Sequence, residues 1–186
     1  MLLAVFLANL WPGPAAQAKD SWFPVSVDVW HRTEGGTTNR EAATYTPLDR
    51  ANRPWRICAS IPHLKEPYWS AVNYGLINEA RRQGVGLRLF EAGGYGNLST
   101  QRQQIRQCLA SGADALIVSA ISADGLNDLV DRYAAGGTVV VDLINGITAE
   151  GVTAHCAVDF RDSGLLTAQY IRKRETGARK PVKVAW

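Results

Sequence analysis

Aromatic side chains in three separate segments are the clearest candidates for chemistry in this sequence. Tyr68 and Trp69 are adjacent, Tyr95 lies in a glycine-bearing stretch, and Phe160 follows much later in the chain. Aromatic rings present a negative face, so converging rings attract a quaternary or methylated ammonium group at about 0.5 to 2 kcal/mol per ring. The same rings can stack on the apolar face of a sugar. These residues therefore predict a binding pocket if the fold brings them together.

Polar residues near the rings extend this prediction, and Trp69 also has a simpler interpretation. Glu66 supplies an acid beside the aromatic pair, while Asn145 and Asp159 can hydrogen-bond the hydroxyl groups of a sugar. Trp69 also begins the apolar stripe of the helical pattern in "YWSAVNYGLINEARRQGV", which is typical of a core residue. Because other aromatic residues lie at other strand ends, we favour an open pocket wall for Tyr68 and Trp69.

The sequence lacks the patterns that catalysis requires. Its three histidines, His31, His63 and His155, lie in unrelated segments and show no metal-ligand spacing. Neither GxSxG nor GxxxxGK[ST] occurs, and "AGGYGN" does not match a dinucleotide-binding fingerprint. We therefore expect a protein that is not an enzyme and that holds no metal or cofactor.

Composition and the first residues bear on partners and location. The chain has 186 residues, 46% of them hydrophobic, and a net charge of +3 with scattered basic residues, so nucleic acid is not an expected partner. Residues 1–18, "MLLAVFLANLWPGPAAQA", predict a signal peptide, because an apolar run of about ten residues is too short to span a bilayer. A buried N-terminal strand or helix is the alternative. No later segment is long and apolar enough to insert in a membrane, so we predict an exported, soluble protein.

An oxidising compartment permits one disulfide among the three cysteines. We pair Cys58, in a predicted buried strand, with Cys108, in a helix expected to pack beside that strand. Cys156 is then the free thiol. Three reduced cysteines are the alternative.

The elements that position these residues alternate along the chain. Residues 19–52 show no sustained period apart from the alternating "VSVDVW", and we interpret them as an N-terminal extension. Residues 53–160 predict an α/β fold, a parallel sheet flanked by helices, with strands in "WRICASI", "GLRLFEA", "ADALIVSA", "TVVVDLING" and "HCAVDF". Thr100 and Gln103 predict a capping box that starts the second helix. Ligands of such sheets bind beyond the carboxyl ends of the strands, where every candidate residue falls.

The last part of the chain predicts one more helix, "GLLTAQYIRKRETG", and one more strand, "KPVKVAW". Because the sequence stops inside an apolar run, we expect residues 161–186 to begin a second lobe in a truncated chain.

The motifs "LKEPYW", "NYG", "EAGGY", "QRQQIRQC" and "LINGI" between about residues 55 and 147 resemble the TorT-like periplasmic sensor proteins. More broadly, the chain is similar to type 1 periplasmic binding proteins and to the ligand-binding core of LacI-like repressors. The resemblance implies two lobes that hold a ligand between them, with an aromatic cage at Tyr68, Trp69 and Tyr95 beside Glu66. Where the family has Pro-Trp, this chain has Asp159-Phe160, which is more like the sugar-binding relatives.

Three functions follow as expectations. The first is a periplasmic sensor that binds trimethylamine N-oxide or a similar methylated solute and signals to a membrane histidine kinase of a two-component system. The second is the substrate-binding protein of an ABC importer for a sugar or other small polar solute. The third, a cytoplasmic repressor, requires an N-terminal helix-turn-helix, and the signal-like start disfavours it.

Overall fold

The computed structural model describes residues 23–32, 38–175, 177 and 183. The predicted signal peptide lies outside these residues, as does all of the strand expected in "KPVKVAW" except Lys183. The chain divides into two compact units, residues 1–49 and 50–186. Within the described part, no helix combines the length and the apolar character needed to cross a membrane.

The first unit contains an antiparallel pair of strands, β1 (Val25–Arg32) and β2 (Thr38–Tyr45). The strand expected in "VSVDVW" is present, but the interpretation of the rest of residues 19–52 as irregular is wrong for β2. Its sequence, "TNREAATY", does not alternate between apolar and polar residues, so it gives no local signal for a strand. The strand is held by its cross-strand partners on β1. Arg40 donates to Asp28 at 2.5 Å on one face of the pair, and the rings of Phe23 and Tyr45 meet edge-on at 5.7 Å.

The second unit is a five-stranded parallel sheet flanked by helices, as the sequence predicts. The strand order is β4-β3-β5-β6-β7, and every neighbouring pair is parallel. The strands are β3 (Arg56–Ile61), β4 (Gly86–Glu91), β5 (Ala115–Val118), β6 (Val139–Leu143) and β7 (Ala154–Cys156). The helices are α1 (Pro67–Gln83), α2 (Leu98–Ala110), α3 (Asn127–Ala135) and α4 (Phe160–Arg174).

The main core lies where α2 and α3 pack on the sheet. Ile105 and Cys108 of α2, Leu129 and Val130 of α3, and Leu116, Val118 and Val140 of the strands are at most 2% exposed. A disulfide joins Cys58 of β3 to Cys108 of α2, with an S–S distance of 1.99 Å, and Cys156 is an exposed free thiol. The central strands and α2 are therefore held by both packing and a covalent link.

The start of α2 differs from the expected capping box. The helix begins at Leu98, so Thr100 lies inside its first turn and Asn97 is the N-cap residue. The Asn97 side chain does not cap the helix; its amide donates to the Ala92 carbonyl at 2.8 Å. The helix therefore starts about one turn earlier than the sequence pattern indicates.

Candidate functional site

The loops that follow β3, β4, β5 and β6 emerge at one edge of the parallel sheet, because the carboxyl ends of parallel strands lie together. Four of the predicted site residues, Tyr68, Trp69, Tyr95 and Asn145, form one connected group at this edge, joined by His63. We call these five residues the strand-end cluster.

The aromatic pair is placed by the start of α1. Glu66 is the N-cap residue in an extended conformation, and Pro67 occupies the first helical turn, where its missing N–H costs nothing. The Glu66 side chain is exposed and makes no capping hydrogen bond. Tyr68 is 47% exposed, and its ring lies edge-on to that of Trp69 at 5.4 Å. The first turn of α1 thus presents one open ring beside an acid.

Trp69 is buried, which differs from the expectation of an open ring face. Only 2% of the residue is exposed. Its ring lies 6.2 Å from that of His63 and packs edge-on against it. Trp69 is the first inward residue of α1, and the next fully buried one is Ala80, so the helical stripe has turned its side chain to the inside. Trp69 therefore supports the cluster from behind, whereas Tyr68 is open to solvent.

His63 is a member of the cluster that the sequence reasoning missed. The residue is 5% exposed, and its ring lies edge-on to both Trp69 and Tyr95, at 6.2 and 5.5 Å. Its Nδ1 accepts the backbone N–H of Lys65 at 3.3 Å. The spacing of the histidines bears only on metal binding. Its place directly after a strand, between two aromatic segments, was the signal for a ring contact.

A glycine loop after β4 places Tyr95. Gly93 and Gly94 both have positive φ, 83° and 142°, which side chains other than hydrogen rarely allow. The Gly94 N–H donates to the Pro62 carbonyl at 2.9 Å, and Lys65 Nζ donates to the Gly93 carbonyl at 2.7 Å. These bonds join the loops after β3 and β4, so Tyr95 is held beside His63 while remaining 50% exposed.

Asn145 connects the loop after β6 to two other strand ends. Its Nδ2 donates to the Ala120 carbonyl at 2.9 Å and to Tyr95 Oη at 3.3 Å. The preceding residue, Ile144, has φ of 75°, an uncommon conformation for a β-branched residue. Strained backbone of this kind persists where surrounding structure enforces it and is found at functional sites.

Asp159 and Phe160 lie at the start of α4. Asp159 is the N-cap residue, and its Oδ1 accepts the Arg161 N–H at 2.9 Å. Phe160 is 61% exposed. Within the described part of the chain, no hydrogen bond or ring contact joins either residue to the strand-end cluster. Their predicted place in the ligand site stays a prediction.

A pair of polar side chains, Asp142 and His155, joins strands β6 and β7. Asp142 of β6 is 1% exposed, and its Oδ2 lies 2.9 Å from Nδ1 of His155, its register partner on β7. This pair ties the short strand β7 to the sheet. Among the described residues, no group of three or more His, Cys, Asp or Glu side chains is placed to hold a metal ion. The cluster instead offers ring faces, a hydroxyl and an amide, which suit binding of a small polar molecule.

A family model described as periplasmic binding protein domain matches residues 57–184. The chain belongs to the periplasmic binding protein family. This assignment confirms the type 1 fold and the TorT-like resemblance that the motifs indicated. The periplasmic protein TorT of Escherichia coli strain K12 is 37% identical over 155 residues, which is 83% of this chain and 42% of TorT.

Two solved structures share the fold of this periplasmic binding protein. An ABC transporter solute-binding protein from Bradyrhizobium sp. BTAi1, with bound bis-tris, has a TM-score of 0.76 and 40% identity over 82% of this chain and 46% of its own. TorT in complex with the TorS sensor domain, in the absence of ligand, has a TM-score of 0.59 and 35% identity over 64% of this chain and 42% of its own. The chain spans less than half the length of these relatives.

Proposed function

We propose that this chain belongs to a periplasmic sensor that binds trimethylamine N-oxide or a similar small methylated polar solute. Residues 53–160 form its first ligand-binding lobe and residues 161–186 begin the second. Ligand occupancy is passed to the periplasmic domain of a membrane histidine kinase in a two-component system. The observation that carries the proposal is the strand-end cluster in a chain 37% identical to TorT. The proposed ligand contacts are Tyr68, Tyr95, Phe160, Glu66, Asn145 and Asp159, and the buried Trp69 supports them from behind.

The exposed rings supply the attraction for a methylated nitrogen. Tyr68 and Tyr95 are each about half exposed, so their faces are open to a ligand. A methylated nitrogen that carries positive charge is attracted to such faces. Trp69 and His63, both nearly buried, hold these rings in place. The amino end of α1 adds a partial positive charge beside the site, which favours the negative oxygen of an N-oxide.

The kinase partner is supported by the complex of a relative. TorT has been solved with the TorS sensor domain both in the absence of ligand and in the presence of trimethylamine N-oxide, at 35% identity to this chain. A binding protein of the same family, at this level of identity, is suited to the same kind of partner. Genes for a kinase and a reductase beside this one would support the sensor function.

An ABC importer is the second candidate, and the Bradyrhizobium relative favours it. That solute-binding protein is 40% identical and holds bis-tris. Bis-tris is a tertiary amine bearing several hydroxyl groups, so a site of this kind accommodates both a substituted nitrogen and polyol character. Asp159 provides an acid suited to hydroxyl groups. Genes for a permease and an ATPase beside this one would support the importer.

Calorimetric titration of the full-length protein separates the two functions. We expect saturable binding of trimethylamine N-oxide and none of glucose. Tyr68→Ala should weaken binding at least severalfold, since one ring contributes about 1 kcal/mol and 1.4 kcal/mol is tenfold in affinity. Tyr74→Ala is the matched control, because Tyr74 is a 67% exposed tyrosine of the same helix outside the cluster.

The same titration also tests the role of Glu66, the acid beside the rings. Glu66→Gln should weaken a cationic or zwitterionic ligand, because it removes a negative charge, and should leave a neutral sugar unchanged. Binding of glucose without binding of trimethylamine N-oxide would contradict the sensor proposal and favour the importer.

A further inference from the structure

We infer that Asn145 is a positioning residue that turns the Tyr95 hydroxyl proton toward the ligand and so makes the site select ligands that carry an acceptor oxygen. The inference rests on the proposed function. It adds to that function the group that recognises the oxygen of the ligand, the Tyr95 hydroxyl. The inference depends on the Asn145 amide, which follows β6 and contacts groups that follow β4 and β5.

The identity of the Asn145 atom in these contacts is fixed by its partner. The Ala120 carbonyl oxygen has only lone pairs, so the side-chain atom 2.9 Å away has to be the amide nitrogen. The same nitrogen lies 3.3 Å from Tyr95 Oη. An amide NH2 has two protons, one for each of these oxygens, and Tyr95 Oη is therefore the acceptor.

The direction of this hydrogen bond determines where the Tyr95 proton points. Because the amide nitrogen that faces Tyr95 Oη cannot accept a hydrogen bond, the hydroxyl proton has to point away from it. Among the described residues, Tyr95 Oη has no other hydrogen-bond partner, and the residue is 50% exposed at the ligand edge of the sheet. A hydroxyl that already accepts a hydrogen bond becomes a stronger donor. The Tyr95 hydroxyl is thus preorganised to donate a hydrogen bond to an anionic oxygen.

The surrounding backbone keeps both groups in this arrangement. The Ile144 N–H donates to the Cys156 carbonyl at 2.7 Å, which holds the strained residue before Asn145. On the other side, His63 contacts the Tyr95 ring at 5.5 Å, and the Gly94 N–H is bound by Pro62. The hydroxyl and the amide are therefore fixed before a ligand arrives, which is the condition for selectivity by a single hydrogen bond.

Two probes that differ in the acceptor oxygen test the inference. Trimethylamine N-oxide has one, whereas tetramethylammonium has the same methylated nitrogen and no acceptor. The full-length protein should bind trimethylamine N-oxide more tightly. Tyr95→Phe keeps the ring and removes the hydroxyl, so it should weaken trimethylamine N-oxide by about three- to tenfold, the net effect of one hydrogen bond. It should change tetramethylammonium by less than about twofold. Tyr74→Phe is the matched control and should change neither.

Asn145→Asp keeps the side-chain shape, reverses the hydrogen bond to Tyr95 and loses the one to the Ala120 carbonyl. A carboxylate accepts the Tyr95 proton and so withdraws it from the ligand. Binding of trimethylamine N-oxide should fall by a similar factor, about three- to tenfold, while tetramethylammonium should bind as well or better because the site gains a negative charge. In the double variant with Tyr95→Phe, trimethylamine N-oxide should lose no more affinity than in the single variants, since the two residues act through one proton.

The outcomes separate the inference from the proposed function. If Asn145→Asp or Tyr95→Phe weakens both probes equally, the residues have only a structural role and the inference is overturned, while the proposed function stands. If the wild-type protein binds neither probe, both are overturned. Thermal melting of each variant without ligand checks that the folded fraction is the one titrated.

Discussion

Strands β3 to β6 contain deeply buried residues, whereas β7 and α4 are exposed within the described part of the chain. Cys58, Leu116, Val118 and Val140 of the first region are at most 1% exposed, and helices pack on them. In contrast, α4 has no buried residue, and β7 is exposed along its length. The cluster residues carried by the first region contact one another, whereas no hydrogen bond or ring contact among the described residues joins Asp159 or Phe160 of the second region to the cluster. A site is preorganised only where its supporting elements are packed.

Core truncation should give one of the largest differences between the two regions. Leu116→Ala, at a fully buried position of β5, should lower the free energy of unfolding by about 2 to 5 kcal/mol, because it removes transfer energy and leaves a cavity. In the 186-residue chain, Leu166→Ala, at a 66% exposed position of α4, should change it by less than about 0.5 kcal/mol. Urea unfolding of the two variants measures the difference. Equal losses would mean that α4 is packed as tightly as the core.

Substitutions of Trp69 and Tyr68, adjacent residues of α1, should have different effects: the first on stability and the second on ligand binding. Trp69→Ala should cost about 3 to 5 kcal/mol of unfolding free energy, since the residue is 2% exposed. Tyr68→Ala, at a position 47% exposed, should melt close to wild type and lose ligand affinity instead. Thermal melting and ligand titration of both variants provide the measurement. A Trp69→Ala protein with unchanged melting and lost binding would restore the open pocket wall that the sequence indicated.

Removal of the disulfide should destabilise the fold through the first region, which carries both cysteines. Cys58 and Cys108 are 50 residues apart, so replacing both with alanine should cost roughly 2 to 5 kcal/mol by freeing the unfolded chain. Cys156→Ala, at an exposed free thiol, is the control and should change stability by less than about 0.5 kcal/mol. Alkylation without reductant, followed by mass spectrometry, should label one thiol per chain. Three labelled thiols would contradict the link.

The tie between α2 and α3 should show a smaller effect that depends on pH. Arg102 donates to both Asp128 oxygens at 2.7 Å and holds the pKa of that carboxyl at about 2. Because this pKa is lower than in the unfolded chain, the ion pair stabilises the fold above about pH 4 and its contribution is lost as the pH falls toward about 2.

Urea midpoints at several pH values test this ion pair. Asp128→Asn should unfold at lower urea than wild type at pH 7, and the two midpoints should converge near pH 2. The matched control is Glu150→Gln, which changes an exposed acid in the loop between β6 and β7. A difference between Asp128→Asn and wild type that stays constant with pH would show that the pair does not act through charge.

The sequence alone determined the sheet, its parallel strands and the family. Short apolar runs such as "ADALIVSA" alternate with helical stripes, and this alternation reports burial, which is a local property of residue type. The two strands of the first unit show the limit of that signal. In β1 the alternation of "VSVDVW" was readable, whereas β2 depends on cross-strand partners such as Asp28 for Arg40, which no local pattern contains.

Tertiary structure alone decided how the candidate residues meet. The sequence placed Tyr68, Tyr95 and Asn145 after three different strands, but only the sheet order brings them to one edge. It did not indicate that His63 would join two rings, and for Trp69 it left both a core position and an open pocket wall possible. Those outcomes depend on where a side chain points when a loop from another strand packs against it. Residue type sets what a side chain can bind, and the packed neighbours decide whether it is free to do so.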